Sequence, residues 1–178
     1  MLRNQRELDD FLSRQPGTVP LLRGGPFLVR SNVAVEADGE SEVALEGGTA
    51  TLYEQARAEV WGGRVEAWDD AVVSLRRGCA AITDRVSLVV KATTGPAPIV
   101  IAAGEARVAA YGPAWIRLHQ RACLVYAAPG SIVELGTHAR LEEVEPGCVV
   151  MAMNEPGPLD EELKTLAAVR ALLFLTRP

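Results

Sequence analysis

From Val35 onward, apolar and variable positions alternate in short runs, and the runs recur about every eight residues. The clearest copies are Val65-Glu-Ala-Trp-Asp-Asp-Ala-Val72, Val108-Ala-Ala-Tyr-Gly-Pro-Ala-Trp115 and Ile116-Arg-Leu-His-Gln-Arg-Ala-Cys123. Apolar residues stand first and third, an aromatic or polar residue fourth, turn formers fifth and sixth, and a small residue seventh. Read from the seventh position of one unit through the fourth of the next, the run alternates strictly, as a strand with one buried face does. Gly62-Gly63, Asp69-Asp70 and Gly112-Pro113 supply the turn chemistry between runs. A single unit cannot bury its own apolar face, so the units must stack.

Units can be marked from Val35, Val43, Ala50, Ala58, Val65, Val73, Ala81, Val89, Val100, Val108, Ile116, Leu124 and Ile132. The units at Val43 and Ala58 are one residue short, and the one at Val89 carries extra residues around Thr94-Gly95-Pro96, which reads as a side loop. One unit is too short to enclose an interior. Two make a flattened coil of about 16 residues with facing strands. The pattern therefore predicts an all-β, single-stranded β-solenoid (a β-helix) of between about six and seven coils, roughly 30 Å long. A β-sandwich is the alternative, but it does not need the same residue class at the same phase in every unit.

Solenoid ends expose strand edges and must be covered. Asn4 to Arg14 places Leu8, Phe11 and Leu12 at helical spacing before Pro16-Gly17, which predicts an N-terminal capping helix within residues 1–18. Residues 19–150 are the expected solenoid. Within residues 151–178, Asp160 can cap a helix running to about Leu175, with Leu163, Leu166, Val169, Arg170, Leu173 and Phe174 on its wide, mostly apolar face. That helix is expected to act as a cap, a lid or a partner-docking element.

Composition narrows the function classes. A chain of 178 residues with 48% apolar content buries one sizeable core, and with only 5% aromatics that core should be narrow and filled by small side chains. The net charge of −5 argues against a nucleic-acid binder held by phosphate contacts. No run approaches the roughly 20 apolar residues of a membrane helix, and the N-terminus lacks a signal core. The expectation is a cytoplasmic or virion- and assembly-associated protein, with no nucleic-acid or membrane partner. Cys79, Cys123 and Cys148 lack metal-ligand spacing and suit apolar packing in a reducing compartment.

Little catalytic material is present, and no cofactor is expected. There are two histidines, His119 on an outward fourth position and His138 on an inward seventh. No Ser/His/Asp set, Walker loop or dinucleotide fingerprint occurs. The best carboxylate cluster is Asp69, Asp70 and Asp84. Stacking places Asp84 over Trp68 and Arg85 over Asp69, so an ion pair competes with any glycosidase-like reading. The exposed aromatics are more informative. Tyr53 and Trp68 should form a column on one face. Trp61 should lie on the opposite face with Arg76 above it, and Tyr111 and Trp115 should lie further along that face. Toward the C-terminal half the outward positions turn apolar, at Ile82, Leu88, Ile101, Val133 and Leu135. Lys91 and Glu134 are two charges at inward positions that the pattern does not explain.

With Val-Glu-Ala-Trp-Asp-Asp-Ala-Val and Val-Ala-Ala-Tyr-Gly-Pro-Ala-Trp in view, the chain resembles octapeptide-repeat proteins of actinobacteria and their phages, whose units read Val-x-Ala-Trp/Tyr-Gly-x-Ala-x. Asn4-Gln-Arg-Glu-Leu-Asp9 resembles their opening segment, and the likeness spans about residues 4 to 139. The resemblance implies a β-solenoid and brings no catalytic residues with it. The function expected is a non-enzymatic structural or interaction solenoid that presents a rigid face to a protein partner or to itself, in a phage, prophage or other assembly. Its candidate binding residues are Tyr53, Trp61, Trp68, Asp69, Asp84, Tyr111 and Trp115. The alternative is a carbohydrate-binding or carbohydrate-cleaving β-helix, with a glycan as partner, built on Tyr53, Trp68, Asp69 and Asp84.

Overall fold

A computed structural model describes residues 1–30, 33–91 and 95–153. They form one helix and two parallel sheets stacked face to face. Sheet A holds β1 (Leu21–Arg23), β3 (Ala34–Asp38), β5 (Thr49–Leu52), β7 (Arg64–Ala67), β9 (Cys79–Ile82), β11 (Ile99–Ala102), β13 (Trp115–Leu118), β15 (Ile132–Leu135) and β17 (Val149–Ala152). Sheet B holds β2 (Phe27–Val29), β4 (Glu42–Leu45), β6 (Arg57–Val60), β8 (Val72–Leu75), β10 (Ser87–Val90), β12 (Arg107–Ala110), β14 (Cys123–Ala127) and β16 (Arg140–Val144). Odd strands pair only with odd and even only with even, so the chain winds as a solenoid with two strands per coil.

The alternation of the sequence explains the interior. In β5, Ala50 and Leu52 point inward while Thr49 and Thr51 point out, and the same holds coil after coil. One inward column of sheet A runs Val35, Ala50, Val65, Ala80, Val100, Ile116 and Val133, and one inward column of sheet B runs Phe27, Val43, Ala58, Val73, Leu88, Val108 and Leu124. All are buried. The small seventh residues Ala56, Ala71, Ala106 and Ala122 close the interior at the turns and are fully buried. Val65, Ala67, Ala71, Val73, Leu75, Val108, Ala110, Ala114, Ile116, Leu118, Ala122 and Leu124 are all buried, as the octad phase requires.

The coil count exceeds the expected six to seven. Nine strands in one sheet and eight in the other make about eight coils, because β1 and β2 precede the marked units and β16 and β17 follow them. Eight steps of about 4.8 Å give roughly 38 Å from β1 to β17. The solenoid also reaches Ala152, beyond the expected boundary at residue 150.

The phase slips in three places. The turn at Arg76-Arg77-Gly78 needs three residues where an octad allots four, because Gly78 adopts φ 95°. The next unit therefore starts at Ala80, and Ile82 and Leu88 face the core instead of solvent. The insertion before Ile99 then lengthens one coil to twenty residues, Ala80 pairing with Val100, and the stack continues past it in register. Residues 92–94 of that loop lie outside the described residues. Finally, a bulge between the Val108 and Ala109 pairings adds a residue at Val125, which turns Val133 and Leu135 inward. Of the five apolar residues expected outside, Ile101 alone faces outward. Glu134 also moves to the outside of sheet A, and Lys91 follows β10 at a turn, so neither charge sits in the core.

The N-terminal cap forms as the sequence predicts. Helix α1 (Gln5–Arg14) is capped by Asn4, whose side chain accepts from the Glu7 N–H, and it buries Leu8. Leu2 pairs with Leu22 along the free edge of β1. The Gln5 amide both accepts from Leu28 N–H at 2.7 Å and donates to Leu28 C=O at 3.2 Å, which satisfies the free edge of β2. The expected C-terminal helix, 159–175, lies outside the described residues.

Candidate functional site

Each coil turns twice, once from sheet A to sheet B and once back, so the solenoid has two narrow edges. The A-to-B edge carries the acidic cluster. Its turns place Gly39, Glu54, Asp69, Asp84, Gly104 and Gln120 in one column, all with φ between 54° and 64°. Asp and Gln tolerate this left-handed geometry better than branched residues do. Their side chains also satisfy the backbone of the preceding coil. Glu54 accepts from Gly39 N–H at 3.1 Å, Asp69 from Glu54 N–H at 3.1 Å, and Gln120 from Gly104 N–H at 2.9 Å.

The turn register corrects the expected pairing by one residue. Arg85 lies over Asp70, not Asp69, and holds it through two bonds of 2.7 Å. Asp84 lies over Asp69 and Thr83 over Trp68, since the Arg85 and Thr83 N–H groups bond the Asp69 and Ala67 carbonyls. The Arg85 guanidinium lowers the Asp70 carboxyl from its ordinary value, and Asp70 in turn raises Arg85. A general acid needs a carboxyl held up, so Asp70 is poorly set for proton donation. Tyr53 and Trp68 share one column of the same edge, as expected. Tyr53 is half-buried and its hydroxyl is raised, chiefly by burial and then by Glu36 and Glu66. Trp68 is exposed.

The B-to-A edge carries aromatics and cations. Its column runs Glu46, Trp61, Arg76, Lys91 and Tyr111, each N–H bonding the last residue of a neighbouring strand in sheet B. Arg76 lies over the Trp61 ring at 4.1 Å from its centre, as the stacking predicts. Glu59 holds Arg76 at 3.0 Å and Lys91 at 3.5 Å. Tyr111 stacks on Tyr126 at 5.2 Å between centroids. Trp61 is 48% exposed and Tyr111 58%. Tyr126 was not among the residues expected from sequence. The bulge at Val125 carries it to the outward position beside Ala109, a shift that the octad pattern does not signal.

No protein-family model, curated protein or solved structure matches this chain.

Trp115 does not join Tyr111. It opens β13 on the outer face of sheet A, packed with Cys79, Ala81, Ile99 and Ile101, and its indole N–H donates to Glu134 at 3.0 Å. Arg117 also bonds Glu134. The outer face of sheet A thus changes from Glu36, Thr51 and Glu66 in the early coils to Ala81, Ile99 and Ile101 in the later ones.

The histidines exchange their expected places. His119 is buried, under the same turn column as Ala103, while His138 is exposed at a turn corner because the Val125 insertion leaves Ala139 in the inward position. The three cysteines form no disulfide among the described residues and are half-buried. Cys148 packs against the core and Cys79 against the outer apolar cluster of Ala81, Ile99 and Ile101, as expected, while Cys123 starts a strand on the outer face of sheet B beside Glu142. Among the described residues no cluster of His, Cys, Asp or Glu is placed to hold a metal ion.

Proposed function

We propose that the protein is a non-enzymatic scaffold, a rigid β-solenoid that presents a surface to a protein partner or to further copies of the chain. The observation that carries this reading is the B-to-A edge. Exposed Trp61 and Tyr111 line one strip with half-buried Arg76, Lys91 and Tyr126, on a backbone fixed by coil-to-coil hydrogen bonds. Trp, Tyr and Arg dominate binding energy at protein interfaces, and a prefixed backbone lowers the ordering cost. The acidic edge supports the non-enzymatic part, because Glu54 and Asp69 are occupied in capping turns and Asp70 in pairing with Arg85. The likeness of the repeat to octapeptide proteins of actinobacteria and their phages supports an assembly role, in a virion or the cytoplasm.

The test is affinity capture from the native host with the full chain and with Trp61→Ala/Tyr111→Ala. The scaffold reading expects one protein retained by the first and reduced at least tenfold with the second, since hot-spot truncations are worth about 2 kcal/mol or more. Equal retention by both would remove the edge from the reading. The glycan alternative is favoured by one observation, exposed Trp68 beside Glu54, Asp69 and Asp70. Glycan-array binding that Trp68→Ala abolishes and Trp61→Ala does not would put that reading first.

A further inference from the structure

Around β11 the outer face of sheet A is not open to solvent. Strands such as β5 and β7 bury every second residue, whereas all four residues of β11 are buried. Ile99 and Ile101 point away from the core, yet they are 1% and 0% exposed. Ala81 and Glu134 on the same face are buried too. The turn column that carries exposed Trp68 becomes buried at Ala103 and His119. Neighbours within a sheet do not achieve this. Val72 opens β8 between Arg57 and Ser87, as Ile99 opens β11 between Cys79 and Trp115, and Val72 is 42% exposed. A segment of chain must lie over the face.

That segment belongs to the same copy, because the burial is complete within one chain. Among the described residues none supplies it. Every described strand lies in one of the two sheets, and α1 packs against β2 at the far end. The insertion before Ile99 runs by the B-to-A edge, where Gly95 stands beside the Arg77 side chain. Residues 92–94 span at most about 10 Å, too little to reach His119 on the other edge.

We propose that residues 154–178 fold back over the outer face of sheet A and dock on Ile99, Ile101 and Trp115 as a built-in cover. The segment leaves β17 in the same sheet, three strand spacings from β11, or about 14 Å. Residues 154–159 span up to about 20 Å when extended, so Asp160 can reach the patch. A helix from Asp160 to Leu175, as the sequence predicts, is about 24 Å long, and the patch from β9 to β15 is about 14 Å across. Leu163, Leu166, Val169, Leu173 and Phe174 match it in character with Ala81, Ile99, Ile101 and the Trp115 ring. Docking removes both apolar surfaces from water, and attachment to β17 avoids the cost of bringing two molecules together. The outer face of sheet A is then closed to partners, and the Trp61–Tyr111 strip is left open. The inference does not depend on the scaffold reading.

Ile101→Cys in the full chain places a thiol under the cover, and iodoacetamide labelling of that peptide, read by mass spectrometry, tests it. The thiol should label at least tenfold more slowly than in the urea-unfolded chain. Adding Leu166→Asp/Leu173→Asp should speed labelling at least tenfold, with circular dichroism checking that the solenoid persists. The native Cys79, in the same apolar cluster, should speed in parallel. Should the aspartate pair disturb the fold, Leu166→Ala/Leu173→Ala reads the same contact. Fast labelling of Ile101→Cys alone, or equally slow labelling with and without the substitutions at 166 and 173, would overturn the inference. Protection lost on dilution would also overturn it, by assigning the cover to the C-terminal segment of a second copy.

Discussion

Gly63 and Gly17 share a backbone φ of 87° but differ in what surrounds them, and together they measure how tightly the coils are stacked. A Cβ added at Gly17 would meet nothing within 4 Å. At Gly63 it would lie 3.0 Å from both the Gly47 carbonyl carbon and the Gly48 nitrogen, and closer still to the Gly48 carbonyl oxygen. That oxygen accepts the Arg64 N–H at 2.9 Å, one of the bonds that tie successive coils together. Alanine at either glycine bears the left-handed strain of about 1–2 kcal/mol. At Gly63 the neighbouring coil must also move, which loses or stretches a hydrogen bond worth about 0.5–1.5 kcal/mol and loosens the packing around it. Gly17→Ala should therefore cost about 1–2 kcal/mol and Gly63→Ala about 2–4 kcal/mol. Urea unfolding followed by circular dichroism, with midpoints and slopes compared, gives both numbers. If the two variants lose the same stability within about 0.5 kcal/mol, the turns are not in the close contact described and the stacking argument fails.

Three further outcomes follow from the same contacts. Ala114→Trp, at a fully enclosed inward position, should overpack the narrow interior and lower stability by roughly 1–3 kcal/mol, read by thermal unfolding. Asp70, lowered by Arg85, contributes stability that is complete above its unfolded value and is lost as pH falls through the lowered folded value. Asp70→Asn should flatten that acid limb of the unfolding profile. Burial first, then its bond to Glu142, raises the Cys123 thiol, so iodoacetamide should label it slowly near neutral pH, and Glu142→Gln should speed that labelling, read by mass spectrometry.

Alternation made the solenoid legible, because inward residues such as Val65 and Ala67 repeat at fixed spacing and no other architecture asks for that. Phase was harder to read wherever the backbone changed length without changing residue class. Arg76-Arg77-Gly78 is the same length as Glu46-Gly47-Gly48 and Trp61-Gly62-Gly63, each ending in a glycine of positive φ, but without their second glycine it reads as a full-length turn. The Val125 bulge is likewise silent in sequence, since Leu-Val-Tyr-Ala reads equally well with either register. Both slips misplaced the apolar exterior and hid Tyr126 and Glu134, whereas Trp61 and Arg76, upstream of both, were placed correctly. The outermost strands β1, β2 and β16 fell within the expected solenoid, residues 19–150, but carried no marked unit for a different reason. Phe27-Leu28-Val29 follows a Gly-Gly-Pro break, and β16 sits among charges, so neither shows the octad.

The early coils share one length, Val35, Ala50, Val65 and Ala80 following at intervals of fifteen residues. A chain with such a uniform interval can misalign during folding by one whole coil and still match apolar to apolar at every inward site. The devices that forbid this are the unrepeated ones. Gln5 fits the edge at Leu28, Arg23 finds Asp38, and Arg85 finds Asp70. The N-terminal helix thus does more than hide an edge. It sets the origin from which every later turn is counted, so damage to Gln5 should leave a protein with correct secondary structure and heterogeneous coil numbering.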